Sequence, residues 1–307
     1  MLGYALRRVM TAIPIVLLTI TVCFFILRLA PGGPFDGERA LPPDVLKNLR
    51  AHYNLDQPLI MQYFIYVGGV LQGNFGPSMV MEDFSVSRLI AIGLPFTLML
   101  GFTAFFFGTI GGMIAGALAA VNQNRWPDYL LVGVVLVGII VPNFLLANIV
   151  QLVFGVYLGW LPVGGYQPGS IIHLVLPVLI LSLPHGGRVA RLVRGSMIEV
   201  LGTNYIRTAR SKGLGTRLIL ARHAVKPALI PVVSYLGPGL SYLLTGSLVV
   251  EQVFSLPGIG RYFITAALNR DYGLVLGTTI LYVFIILALN LIVDVLYAWL
   301  DPKVRYR

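Results

Sequence analysis

Residues 94–121 read LPFTLMLGFTAFFFGTIGGMIAGALAAV. At about 1.5 Å of rise per residue, a helix of this apolar run crosses the roughly 30 Å hydrocarbon layer of a bilayer. Similar runs lie near 9–30, 129–154, 171–187, 228–250 and 274–300, so the chain predicts an all-α polytopic membrane protein with six spans. Composition agrees: 57% hydrophobic against 11% charged residues leaves too little polar surface to coat a soluble globule of 307 residues. The first run is longer than a signal-peptide core and lacks a small-x-small cleavage site, which predicts a retained span. The fourth is the shortest and contains Pro177 and Pro184, predicting a kink or an extension into the polar region. Within the second, Gly108, Gly112 and Gly116 share one helix face at four-residue spacing. Small residues there admit a second backbone, so that face is expected to pack on a helix, in the first instance one of the same chain.

The net charge of +10 is clustered by segment, which points to membrane topology and away from nucleic acid. Arg7 and Arg8 precede the first span. Arg188, Arg191, Arg194, Arg207, Arg210, Lys212, Arg217, Arg222 and Lys226 follow the fourth, and Lys303, Arg305 and Arg307 follow the sixth. The positive-inside rule places all three segments, and both termini, in the cytoplasm. Segment 31–93 is then external, with Asp36, Glu38, Asp44, Asp56, Glu82 and Asp83 against Arg39, Lys47, Arg50 and Arg88. This divides the chain into 1–93, a first span with its external segment, and 94–307, a five-helix core.

In the external segment, Pro31-Gly32-Gly33-Pro34 ends the first span and Pro42 or Pro43 starts a short helix with Val45, Leu46, Leu49 and His52 on one face. The tract Ile60–Leu71 either rests on the membrane surface or covers the mouth of a pathway. Leu256-Pro257-Gly258-Ile259-Gly260, between the last two spans, is a candidate external gate loop, with a plain connector as the alternative.

Catalytic signatures are missing. The single cysteine, Cys23, permits no internal disulfide, and the four histidines, His52, His173, His185 and His223, are scattered without an HExxH pattern. There is no GxxxxGK[ST] phosphate loop, so the chain is expected to be a non-enzyme that binds no cofactor or metal and draws any energy from another subunit. Ionisable residues near the spans reduce to Arg28 and Glu251, which sit at span ends and can snorkel or cap, and Asp294, which a salt bridge to a basic loop would explain. No acidic chain crosses the membrane, which disfavours a proton-driven carrier.

One polar island remains, YIRTARSKGLGTRLILARHAVKPALIP at 205–231. Thr203 can cap a helix over Asn204–Lys212, Gly213 can close it in the left-handed conformation, and Thr216 can open a second helix reaching about Val225, before Pro227. Tyr205, Ile206 and Ala209 form an apolar face bordered by Arg207 and Arg210. Insertion into a groove of a partner protein and attachment to anionic lipid both fit that pattern.

The island resembles the EAA coupling loop, at about 199–227 here, of bacterial ABC-importer permeases in their oligopeptide and dipeptide form. The likeness lies in Tyr205, the run Arg207-Thr208-Ala209-Arg210, the pair Lys212-Gly213 and the tail His223–Pro231. It extends through RLAPGGP (Arg28–Pro34), FGPS (Phe75–Ser78), RGSMIEVL (Arg194–Leu201), LPGIG (Leu256–Gly260), ALNRDY (Ala267–Tyr272) and VDVLYAWLDPKVRY (Val293–Tyr306), and is closest to the B-type subunit. Such a resemblance implies a type I importer permease fold in the inner membrane. It further implies that the chain forms half of a peptide pathway, beside a second homologous permease, two cytoplasmic ATPase subunits holding ATP and Mg²⁺, and an extracytoplasmic solute-binding protein. By the same resemblance Tyr205, Arg207, Thr208, Ala209, Arg210, Lys212, Gly213, Arg217 and Arg222 form the ATPase-docking element. The departure is at Arg207-Thr208-Ala209, where the general motif has Glu-Ala-Ala.

Overall fold

The computed structural model describes residues 2–35, 42–81 and 84–300, with the backbone alone at 2–6, 9, 216, 217 and 294–300. Asp36, Glu38, Arg39, Glu82, Asp83, Lys303, Arg305 and Arg307, used above for orientation, lie outside the described residues, as do the side chains of Arg217, Asp294 and the C-terminal motif run. Apart from an isolated bridge between Pro77 and Ser85, regular structure among the described residues is helical. In chain order it comprises α1 (Leu2–Leu29), α2 (Pro43–His52), α3 (Leu59–Leu71), α4 (Val86–Val121), α5 (Trp126–Ile140) and α6 (Asn143–Val150), which runs into a π-helical stretch, Gln151–Tyr157. Then follow α7 (Ile172–Leu201), α8 (Asn204–Ser211), α9 (Thr216–Ile219), a π-helical Leu220–Ala224, α10 (Val225–Ala228), α11 (Ile230–Val253), α12 (Ile259–Leu268) and α13 (Tyr272–Leu300).

Five helices are long and apolar enough to cross a membrane, and a sixth span is completed if α5 and Asn143–Tyr157, bent by 110°, count as one. The break is at Val141-Pro142. The proline ring drives the residue before it out of the helical region, and Val141 is extended at φ −75°, ψ 124° before α6 restarts behind Pro142. Pro177 and Pro184, where a kink or an extension into the polar region was expected, do not break the chain: α7 continues through both, and both are buried. α7 also outruns the expected 171–187, carrying Arg188, Arg191 and Arg194 as helix residues. Two of these charges are met by neighbours: the Arg188 guanidinium lies 4.0 Å from the Tyr242 ring centroid, and Arg194 is paired with Asp128.

The chain divides into two compact units, Met1–Thr97 with Pro257–Leu291, and Leu98–Leu256 with Ile292–Arg307. In the first, Val86, Leu89, Ile90, Ala266 and Leu274 form a buried cluster. Asp271, wholly buried ahead of α13, accepts from the Leu274 amide at 3.0 Å as an N-cap does, and its other oxygen accepts from the Ser78 hydroxyl and the Val80 amide. The neighbouring Tyr272 hydroxyl donates to the Gly32 carbonyl at 2.8 Å. Three motif runs distant in sequence, RLAPGGP, FGPS and ALNRDY, therefore meet in one hydrogen-bonded clip.

In the second unit the glycine face of α4 packs on α7. A Cβ on Gly108 would lie 2.9 Å from the Ser182 carbonyl oxygen, and Cβ atoms on Gly112 and Gly116 would run into the carbonyls of Gly186 and Ala190. The approach is reciprocal, since a Cβ on Gly186 would lie 2.8 Å from the Gly108 oxygen. Only backbone fits in the seam. Asp128, in the first turn of α5, accepts two bonds from Arg194, at 2.6 and 2.7 Å, and one from the Asn124 amide at 3.0 Å. Glu251, expected to snorkel or cap at a span end, is instead fully buried inside α11. The chain that follows is enclosed as well, at Phe254 and Leu256.

Candidate functional site

The basic hairpin at 204–228 is built on the end of α7. Thr203 is extended (φ −72°, ψ 157°) and its carbonyl accepts from the Arg207 amide at 3.2 Å, so it occupies the N-cap position. Its side chain does not cap, contrary to the expected role. The hydroxyl donates backward to the Val200 carbonyl at 2.6 Å, satisfying an end group of α7 instead. After α8 the Gly213 backbone is left-handed at φ +77°, with its amide donating to the Arg210 carbonyl and the Leu214 amide to Ala209. The second helix begins at Thr216 as expected and continues helically past Val225 to Ala228, because Pro227 sits close enough to the start of α10 to lose no hydrogen bond essential to it.

The apolar face of α8 is consumed within the chain. Ile206 (0% exposed) and Ala209 (5%) pack with Ile219, flanked by Val200, Leu201 and Leu214. This face is therefore not presented to a partner groove. Turned outward are Tyr205, Arg207, Thr208, Arg210, Lys212 and Gly213, with Arg222 exposed on the second limb. Tyr205 is half exposed, and its hydroxyl donates to the His223 carbonyl at 3.3 Å, joining the two limbs. Beneath the hairpin, Val189, Val193 and Met197 of α7 share a buried cluster with Ala120, Ala224, Ala228 and Val232. The second limb of the hairpin is thus close-packed against α7 and α11.

The Leu256–Gly260 loop is a buried passage. Leu256 and Ile259 are wholly enclosed and Gly260 is buried, with only Pro257 half exposed among the loop's bulky residues. The Ile259 amide donates to the Thr97 hydroxyl oxygen at 2.9 Å, and Gly93 lies so close that a Cβ there would be 2.9 Å from the Ile259 nitrogen.

A polar and aromatic cluster inside the second unit escaped the sequence reading. His185, 0% exposed, shares a hydrogen bond of 2.9 Å with Thr109 and stacks at 5.6 Å on Tyr235, with Phe105 at 4.9 Å. Arg188 and Tyr242 continue the cluster one turn along. Its signal was available as spacing: His185 and Arg188 are three apart on α7, and Tyr235 and Tyr242 seven apart on α11. Assigning Arg188 to a loop concealed it. No group of three or more potential metal ligands occurs among the described residues.

Comparison with known proteins covers nearly the whole chain. Residues 112–306 match the binding-protein-dependent transport system inner membrane component, and residues 1–101 match the N-terminal membrane component of such systems. The oligopeptide transport system permease protein OppB of Haemophilus influenzae is 48% identical over 100% of both chains, and that of Salmonella typhimurium 50% identical over the same span. The dipeptide transport system permease protein DppB of Bacillus subtilis is 38% identical over 99% of this chain and 98% of its own. Among solved structures, a chain of the MetNI methionine ABC transporter in an inward-facing conformation superposes with a TM-score of 0.53 at 21% identity, covering 68% of this chain and 96% of that one. The fold is thus that of an ABC-importer permease. The chain belongs to the family of binding-protein-dependent transport system inner membrane components, as a multi-pass permease subunit of the inner membrane.

Proposed function

We propose that the chain forms half of the translocation pathway of an ATP-driven oligopeptide importer. The observation that carries this reading is full-length similarity to permeases named for oligopeptide transport. Its partners are a second homologous permease, two cytoplasmic ATPase subunits that bind and split ATP with Mg²⁺, and an extracytoplasmic solute-binding protein that delivers the peptide. The basic hairpin faces the cytoplasm and docks on the ATPase through Tyr205, Arg207, Thr208, Arg210 and Lys212, while Ile206 and Ala209 anchor it to its own chain. Closure of the ATPase pair moves α8 as a rigid piece, and the packed cluster beneath it conveys that motion to α7 and α11. The cluster around His185 and Arg188 lies on those helices, so their motion re-aims it. Leu256–Gly260 serves as the outer gate.

Reconstitution tests this directly. Proteoliposomes holding both permeases, the ATPase subunits and the binding protein should take up a labelled oligopeptide only with ATP, and the purified chain alone should transport nothing. Uptake by the chain alone, without ATP, would instead identify a stand-alone carrier or channel.

A further inference from the structure

The short helix α3 holds 13 residues, LIMQYFIYVGGVL, without a charge, and its polarity runs opposite to that of a water-facing helix. Its three polar side chains turn toward the protein. Gln62 is buried and donates to the carbonyls of Leu55 and Gln57 at 3.3 and 2.7 Å, Tyr63 shares a hydrogen bond of 2.8 Å with Thr21 of α1, and the Tyr66 ring lies 6.1 Å from that of Phe24. Turned outward are Ile60, Met61, Phe64, Ile65 and Leu71, all exposed, Phe64 at 64% and Leu71 at 80%. The neighbouring α2 is built the other way, with Asp44, Lys47, Asn48 and Arg50 exposed.

Depth decides what covers this face. The apolar span on α1, Met10–Leu29, has 20 residues and rises about 30 Å, the thickness of the hydrocarbon layer with nothing to spare. Thr21, eight residues before Leu29, is therefore about 12 Å inside that layer. Tyr63 reaches it from α3, and its ring also stacks on Phe25 at 5.7 Å and meets Phe24 at 5.5 Å. All three α1 residues belong to the span, so α3 lies alongside the span and not above its end.

Flanking the side on which α3 packs, α1 exposes Leu18, Val22, Ile26 and Leu29 in one stripe, and only 11% of the span is buried. The apolar surface that a bilayer must cover on α1 thus continues onto α3. A water-facing lid over a pathway would turn Gln62 and the tyrosine hydroxyls outward and Phe64 inward, the reverse of what is observed. At about 20 Å, α3 is too short to cross the membrane by itself. We propose that α3 is embedded in the leaflet around the Leu29 end of α1, with lipid acyl chains covering Ile60, Met61, Phe64, Ile65 and Leu71. Only the membrane position of α1 is required for this, whatever the cargo.

Cys23 is the chain's single cysteine, so Cys23→Ala provides a background in which one nitroxide can be attached at a chosen site. In proteoliposomes of the assembled importer, labels at Ile60→Cys and Phe64→Cys should collide with oxygen, which dissolves in hydrocarbon, in preference to a water-soluble nickel chelate. The ratio of the two accessibilities is read by power-saturation electron paramagnetic resonance. It should match that of Leu18→Cys on α1 and exceed that of Asn48→Cys on α2 at least about tenfold, because a polar complex is excluded from hydrocarbon. A ratio equal to that of Asn48→Cys overturns the proposal in favour of a water-facing lid. Labels that neither reagent reaches overturn it as well, and put a protein on the face, either the second permease or another copy of this chain.

Discussion

Gly213 takes a backbone angle, φ +77°, that glycine adopts without strain, and a Cβ at that position would have no neighbour within 4 Å. A side chain there is therefore opposed by conformation alone, at about 1–2 kcal/mol. Gly213→Leu should lower peptide-stimulated ATP hydrolysis in the assembled importer by about 5- to 30-fold while membrane insertion is unchanged, whereas Gly213→Asn, which visits the left-handed region, should keep most of the coupling. Unaltered coupling in the leucine variant would remove the docking assignment. The Asp128–Arg194 pair makes a different kind of prediction. Asp128→Ala strands the guanidinium, but Arg194 keeps 30% of its side chain exposed and can rehydrate, so the cost should be about 2 kcal/mol, below the ~3–5 kcal/mol of a fully enclosed pair. Detergent-phase thermal unfolding would measure it, and adding Arg194→Met should recover part of the loss. Gly213 was legible in the sequence because a left-handed turn between two helices is a local requirement. The Asp128–Arg194 pair was not, since nothing local joins residues on α5 and α7.

At the scale of elements, the glycine seam between α4 and α7 separates positions that composition alone would treat as alike. Gly112→Val should prevent the two helices from closing, because even its Cβ would meet the Gly186 carbonyl, and the yield of folded protein by size-exclusion chromatography should collapse. Gly111→Ala, with no atom within 4 Å of the added methyl, should leave yield unchanged or slightly raised. If both variants behave alike, the seam does not hold the helices together. Periodicity revealed the seam, and apolar length revealed the spans. The bend at Val141-Pro142 was missed because prolines inside a long apolar run look equivalent, although Pro177 and Pro184 are accommodated in α7 while Pro142 follows a residue that leaves the helix. The inward turn of Ile206 was likewise hidden, because an amphipathic pattern gives a face without naming what covers it.

For the whole molecule, the clip at Asp271 ties together segments that the chain order keeps apart. Asp271→Ala removes the N-cap of α13 and takes the acceptor from the Ser78 hydroxyl, while the Val80 amide keeps only its 3.4 Å bond to the Ser78 oxygen, for an expected loss of about 2–4 kcal/mol. The loss should appear as faster proteolysis within 42–81, and a variant as resistant as wild type would show that the clip is dispensable. These motif runs are recognisable in sequence as those of a family, but their physical purpose is not, because their partners are found only in three dimensions. Their separation also has a consequence in time. Ser78 and Asp271 are 193 residues apart, and at about 5–20 residues per second a ribosome presents the second on the order of 10–40 s after the first. For that interval the beginning of the chain is synthesised but unfinished, so the part of the protein made first is among the last to be locked.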